Sequence, residues 1–289
     1  MEGHILDRIR STGFPLEIEV SDSMESNNWV VFNNQPYLDE DESKTREIDI
    51  FAIRMTDSGH LVVPFLPAVE AVIECKKSTH AWVFFTRPEA LAIKLGEDQT
   101  CDFLEAWSRG KEKLLGPMDL PNLHYVDFTR IASTYAEVEL LKGSSQSGES
   151  RGKGQIFEAS NQLMKYACFR AQQWNDKMSK DSSRQYVIPL YPAIVFDGRL
   201  YEAIVKADKI DLKARSHLLL KASRYSKTKR GMTHYIIDIV SRRHLCNYLR
   251  RLDHDIETLQ SFFLSNEKRL RRELEAKKKS LWKRPVTQS

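Results

Sequence analysis

Glycine and proline are scarce, at 12 and 10 among 289 residues. That excludes a collagen-like repeat and a broadly low-complexity chain, which need those residues in quantity. Cysteine is scarce too: Cys75, Cys101, Cys168 and Cys246 lie far apart, with no CxxC pair and no Cys/His spacing suited to zinc. The eight histidines are scattered and form no HExxH or other paired ligand motif, so no catalytic histidine is read from them. Neither GxxxxGK[ST] nor GxGxxG occurs, which argues against a phosphate-loop NTPase and a dinucleotide enzyme. No run of 18 apolar residues exists, and residues 1–13 do not read as a signal peptide. The expectation is a soluble, cytoplasmic, reduced protein with no membrane contact.

Enough is present to build a core. Hydrophobic residues make up 41% and charged residues 29%, with a formal net charge of +4. The excess is uneven: from Tyr225 to Ser289 there are 16 Lys/Arg against 7 Asp/Glu, which leaves the first 224 residues net acidic. Such asymmetry marks either an electrostatic contact surface or a solvated helix.

Hydrophobic periodicity divides the chain. Leu16, Val20 and Met24 recur at helical spacing behind Pro15, a residue suited to a first helical turn. Trp29–Phe32, Arg46–Ile53 and Ala68–Lys76 read as three strands, and Trp82–Phe85 extends the apolar character past the third. Short helices are expected at Pro88–Ile93 and Phe103–Trp107, and Gly143–Gly154 reads as a flexible linker. Gln155–Trp174 follows as a helix, Tyr186–Phe196 as a strand ending in an Asp197-Gly198 turn, and Thr233–Val240 as another strand. A helix at Arg242–Leu252 and a long charged helix at Asp255–Trp282 complete the chain. This is an α/β pattern.

Chemistry concentrates on the second and third strands. In VIECKK a period of two puts Glu74 and Lys76 on one face and Ile73 and Cys75 on the other. Asp49 is expected to project opposite Ile48 and Ile50. If the strands are neighbours, Asp49 and Glu74 converge on one divalent cation with Lys76 beside it. Carboxylates, waters and a phosphate are the ligands Mg²⁺ prefers, and the metal then polarises a phosphoryl oxygen and activates a water. Lysine neutralises developing charge or positions that water. The plainer reading is a half-exposed strand with charged alternation. Against it, both acids interrupt apolar strands, where an unpaired charge is costly.

Asp49 followed by Glu74-Cys75-Lys76, on strands behind an N-terminal helix, resembles the PD-(D/E)xK nuclease superfamily, and its spacing is most similar to the Mrr-type branch. Gly13 to Phe85 carries nearly all of the resemblance, roughly a quarter of the chain. It implies a restriction-endonuclease-like core in the order helix, three strands, helix, strand, with a long insertion and a C-terminal charged helix. The nuclease-like domain would span residues 1–252, with the insertion at about 88–154, and residues 253–289 would form a basic helical tail.

The resemblance also implies roles. Asp49, Glu74 and the Cys75 carbonyl would hold Mg²⁺, or Mn²⁺ in its place, with Lys76 as the catalytic lysine. Glu17 would be the first-motif acid that supports them, with Glu19 as rival; the two lie on different helix faces, so both do not reach one site. Gln162 and Lys165 on the helix after the third strand would reach the metal site or the phosphate, and Lys77 would be a surface or phosphate contact. Lys268, Arg269, Arg271, Arg272, Lys277, Lys278 and Lys279 would clamp a polyanion, since affinity for nucleic acid rests largely on phosphate contacts. A solvated helix or a coiled-coil surface is the alternative for that segment.

The expected activity is metal-dependent endonucleolytic hydrolysis of DNA phosphodiesters, in defence against foreign DNA or in DNA processing, with RNA left open as substrate. A homodimer or a defence-system protein is the expected partner. The rival is a catalytically inactive nucleic-acid-binding or scaffold protein that retains the fold.

Overall fold

The computed structural model describes residues 2–56, 68–86, 123–124, 128–139, 154–180, 188–226 and 231–281. The expected short helices at 88–93 and 103–107, and the linker up to residue 153, lie outside the described residues. Helices α1 (Glu2–Ser11) and α2 (Phe14–Glu25) precede strands β1 (Val30–Asp39), β2 (Lys44–Met55), β3 (Ala68–Thr86) and β4 (Ala132–Val138). Helix α3 (Gln155–Lys180) leads to β5 (Leu190–Lys206), β6 (Lys209–Ala214), β7 (His217–Ser226) and β8 (Gly231–Ser241). A short 3₁₀ turn, Arg242–His244, opens into α4 (Leu245–Leu281).

Helix α2 forms as its pattern predicts. Pro15 sits in the first turn, and Leu16, Val20 and Met24 are buried. The chain leaves the helix through Asn28 in the left-handed region (φ 63), with the Trp29 amide donating to the Met24 carbonyl. Ser21 Oγ donates to Asn33 Oδ1 at 2.6 Å, which fastens α2 to β1.

The strands make one mixed eight-stranded sheet in the order β1-β2-β3-β4-β7-β8-β5-β6, with a further β3–β5 pairing. β1, β2 and β3 form an antiparallel meander, with Ile50 opposite both Asn33 and Ile73. β3 then runs parallel to β5, which follows α3, with Ile73 beside Ala193. β8 is parallel to β5 on its other edge, and Ala193 faces Asp238. β3 is long because one edge serves two partners, β2 over its first half and β4 over its last residues, while β5 lines the other edge. The two ends of β3, Ala68–Ile73 and Ala81–Thr86, are largely buried and apolar apart from Glu70, and the polar stretch Lys76–His80 between them is partly exposed.

Alternation along the strands sorts side chains into two layers. Ile50, Ala52, Ala71, Ile73, Cys75 and Ala193 pack against α2 and α4. Phe51, Val72, Ile194 and Trp82, which stacks on Phe196 at 3.8 Å, pack against α3.

Several sequence expectations change. The third strand continues without a break through Trp82–Phe85 to Thr86. Asp197-Gly198 is no turn: β5 runs through it, because the apolar stretches on both sides pair with the same strand, β3. Strands β4, β6 and β7 add to the five expected. The two C-terminal helices are one, since residues 245–281 contain neither glycine nor proline to interrupt them. α4 crosses the boundary expected at 252/253, and Ile256, Leu259, Phe263 and Leu270 remain in the core. Its described part is therefore integral to the fold. Phe263→Ala should cost about 3–5 kcal/mol in urea unfolding, whereas Lys268→Ala should change stability by no more than about 0.5 kcal/mol.

Candidate functional site

The ladder between β2 and β3 ends at the pair Ile50–Ile73. Beyond it β2 stays with β1 and β3 stays with β5, so the two strands fork. Asp49 and Glu74 are the first residues past the fork. A freed strand amide needs a new acceptor, and Asp49 Oδ2 accepts the Cys75 N–H at 2.8 Å. Ile48 belongs to the layer under α3 and Ile50 to the layer under α2 and α4. The expected regular alternation around Asp49 therefore fails at the fork. Across the ladder there, between Asn33 and Gln35, Asn34 lies in the left-handed region (φ 51).

On β3 the alternation holds. Ile73 and Cys75 enter the apolar layer, and Lys76 Nζ lies 2.6 Å from Glu74 Oε2 and 3.6 Å from Asp49 Oδ2. The Glu74 side chain is 0% exposed, against 24% for Lys76 and 20% for Asp49. Glu74 Oε1 has no hydrogen-bond partner among the described residues. An unmatched carboxylate oxygen at zero exposure is costly, and it is where a cation would be most stabilising.

The electrostatics follow from that burial. Burial pushes the Glu74 carboxyl up to about 8, and the neighbouring Asp49 charge adds to the rise. For Lys76 burial works downward, but Glu74 and Asp49 outweigh it and hold the ammonium above its ordinary value. Glu17 is raised by burial and then by Asp49, with Lys76 opposing, so it shares the field of this cluster. Glu19 instead pairs with Arg242, which also reaches Asp197 at 3.3 Å. Of the two helix acids, Glu17 is the one coupled to Asp49 and Lys76.

The other expected residues sit elsewhere. Gln162 donates to the Glu47 carbonyl. Lys165 is buried and ion-paired to Asp39 and Glu42, so it is not an open phosphate contact. Lys77 is exposed, opposite Asp197 on β5. On α4, Lys268, Arg269 and Arg272 are exposed, and Arg271 pairs with Glu267 at 2.5 Å. The side chains of Lys277, Lys278 and Lys279 lie outside the described residues.

A second buried polar cluster was not legible in the sequence. His124 Nε2 lies 3.1 Å and His217 Nε2 lies 2.7 Å from the same atom, Asp238 Oδ1. His124 Nδ1 meets Asp255 Oδ2 at 2.6 Å, and the His124 amide donates to Asp255 Oδ1 at 2.8 Å. Tyr248 Oη donates to Asp238 Oδ2 at 3.4 Å. One sequence signal was available: Asp238 interrupts the apolar strand YIIDIV as Asp49 interrupts its own.

No family model matches the sequence, and comparison with curated proteins and with solved structures yields no match.

The raised Glu74 carboxyl has a measurable consequence. Below its unfolded value of 4.5 it is protonated folded or unfolded. As pH rises towards 8, the unfolded chain ionises first while the folded site keeps its proton, so stability falls. The protein should lose about 3–4 kcal/mol between pH 5 and 8 from this group, and Glu74→Gln should flatten that part of the urea-measured profile.

Proposed function

We propose that the chain is a divalent-metal-dependent nuclease of the PD-(D/E)xK type, hydrolysing DNA phosphodiester bonds. The observation that carries this reading is the contact of Asp49, Glu74 and Lys76 at the β2–β3 fork, with a fully buried Glu74 oxygen left unmatched. The element order supports it. A helix, an antiparallel meander of three strands and, after β4, a helix and a strand parallel to the third agree with the order the motif leads one to expect.

The donor set fits Mg²⁺, with Mn²⁺ as substitute. Asp49 and Glu74 supply hard carboxylate oxygens, and the Cys75 carbonyl between Glu74 and Lys76 is the backbone ligand of this reading. The chemistry that Mg²⁺ would supply there is polarisation of a phosphoryl oxygen and acidification of a coordinated water. Lys76 is held cationic by the two acids, which suits it to neutralise charge developing on phosphorus and to hold the attacking water. Glu17 reaches the same field from α2 and orients the water network. Asp49 has a second duty, since its bond to the Cys75 amide fixes the spacing of the fork. The exposed Lys268, Arg269 and Arg272 on α4 are the proposed phosphate contacts. A homodimer would place two such sites on a duplex.

Plasmid and single-stranded DNA cleavage with Mg²⁺ or Mn²⁺ tests the proposal. Wild type should cut only with metal, and Asp49→Asn, Glu74→Gln and Lys76→Ala should each lower the rate by at least about 100-fold. Salt-sensitive DNA binding without any cleavage would overturn the catalytic reading in favour of a nucleic-acid-binding scaffold.

A further inference from the structure

We propose that His124, His217 and Asp238 form a second metal site, structural in role and selective for zinc-class ions. The proposal goes beyond the nuclease reading and does not depend on it.

One ligand atom each from His124, His217 and Asp238 lies within 4.8 Å of the other two, and the Nε2 atoms of both histidines meet Asp238 Oδ1. They come from three separate places: the Leu123–His124 segment, the start of β7 and the middle of β8. Both imidazoles aim the same nitrogen at one carboxylate oxygen, a convergence that one cation between them would satisfy. The nitrogen of His124 that faces away is gripped by Asp255 on α4. A carboxylate on the far nitrogen of a ligand histidine fixes the tautomer that leaves Nε2 free to bind metal. All three residues are buried, and His217 Nδ1 has no hydrogen-bond partner among the described residues.

Two imidazoles and one carboxylate suit zinc and its neighbours, whereas Mg²⁺ favours an all-oxygen, partly hydrated shell. The second Asp238 oxygen, which accepts from Tyr248, could serve as a fourth ligand atom. Each histidine would bind as a neutral imidazole: His124 keeps its Nδ1 hydrogen towards Asp255 and releases the one on Nε2 to solvent, and His217 carries its hydrogen on Nδ1, so no redox partner is needed. The enclosure argues for a structural ion taken up during folding. It would tie β7, β8, α4 and the segment at residue 124 together. Ile73, Ala193 and Asp238 are neighbours on three consecutive strands, so this anchor lies about 10 Å across the sheet from the β2–β3 fork.

The test uses the full chain without a histidine tag, refolded with and without equimolar Zn²⁺ or Co²⁺ and then desalted. We expect about one Zn²⁺ per chain by mass spectrometry, tetrahedral visible absorption bands for the Co²⁺ form, and a higher melting temperature with either ion. Bound metal should be lost in His217→Ala and Asp238→Asn and kept in Glu74→Gln. A folded wild type that retains no metal overturns the proposal, as does metal retained in His217→Ala. Should both variants fail to fold, X-ray absorption of the wild-type zinc decides. A shell of two imidazoles and a carboxylate supports the site; sulfur ligands or an all-oxygen shell overturn it.

Discussion

The bond from the Cys75 amide to the Asp49 carboxylate is the constraint on which the candidate active site depends. Where two paired strands part, each loses the acceptors its neighbour supplied, and water or a side chain must replace them. Here a carboxylate replaces the missing backbone acceptor, so an acid stands at the mouth of the fork by structural necessity. Its placement brings it within 3.6 Å of Lys76. The β3–β5 ladder holds the other half of the site, fixing Glu74 beside Ile194 and Lys76 beside Phe196. α2 closes the near side through Leu16, Val20 and Met24, and that packing carries Glu17 into the same field.

This part of the molecule was legible because its signals are local. Leu16, Val20 and Met24 mark a helix by spacing alone, and Glu74 and Lys76 share a face because strand alternation has a period of two. Glu17 and Glu19 were separable only in part by sequence; the partner of Glu19, Arg242, stands 223 residues away. Lys165 shows the limit of helical position as a guide. It was read as a phosphate contact, yet Asp39 and Glu42 enclose it. β6 escaped notice for a different reason: Ile210, Leu212 and Ala214 do alternate with charged residues, but the run is only six residues long and wholly exposed, and its pairing to β5 is what makes it a strand. The last two helices, expected to stop at Leu252 and restart at Asp255, are joined because Asp253 and His254 do not break a helix as glycine or proline does.

The histidine cluster was invisible for the plainest physical reason. Its members at 124, 217, 238 and 255 are neighbours only after β7 pairs with β8 and α4 lies across that pair. Spacing rules detect metal ligands carried on one helix or one turn, and they are blind to ligands assembled by a sheet. Asp238 alone bore the warning of a charge inside an apolar strand.

Glu74 and Asp238 are both fully buried carboxylates of one sheet, and their different fates explain the two clusters. Burial raises each carboxyl in the same direction. Around Glu74 there is one ammonium against a second carboxylate, so burial prevails and the group is left short of positive charge. Around Asp238 two imidazoles approach a single oxygen and a tyrosine hydroxyl meets the other, and their attraction more than reverses the effect of burial. His124, held between Asp238 and Asp255, is in turn pushed up to about 9. The first cluster is under-compensated and reaches solvent through Asp49 and Lys76. The second is matched by imidazole and hydroxyl groups, and its members His124, His217 and Asp238 are all buried. On one scaffold, the count of positive groups around each buried carboxylate decides whether burial raises it or is more than reversed.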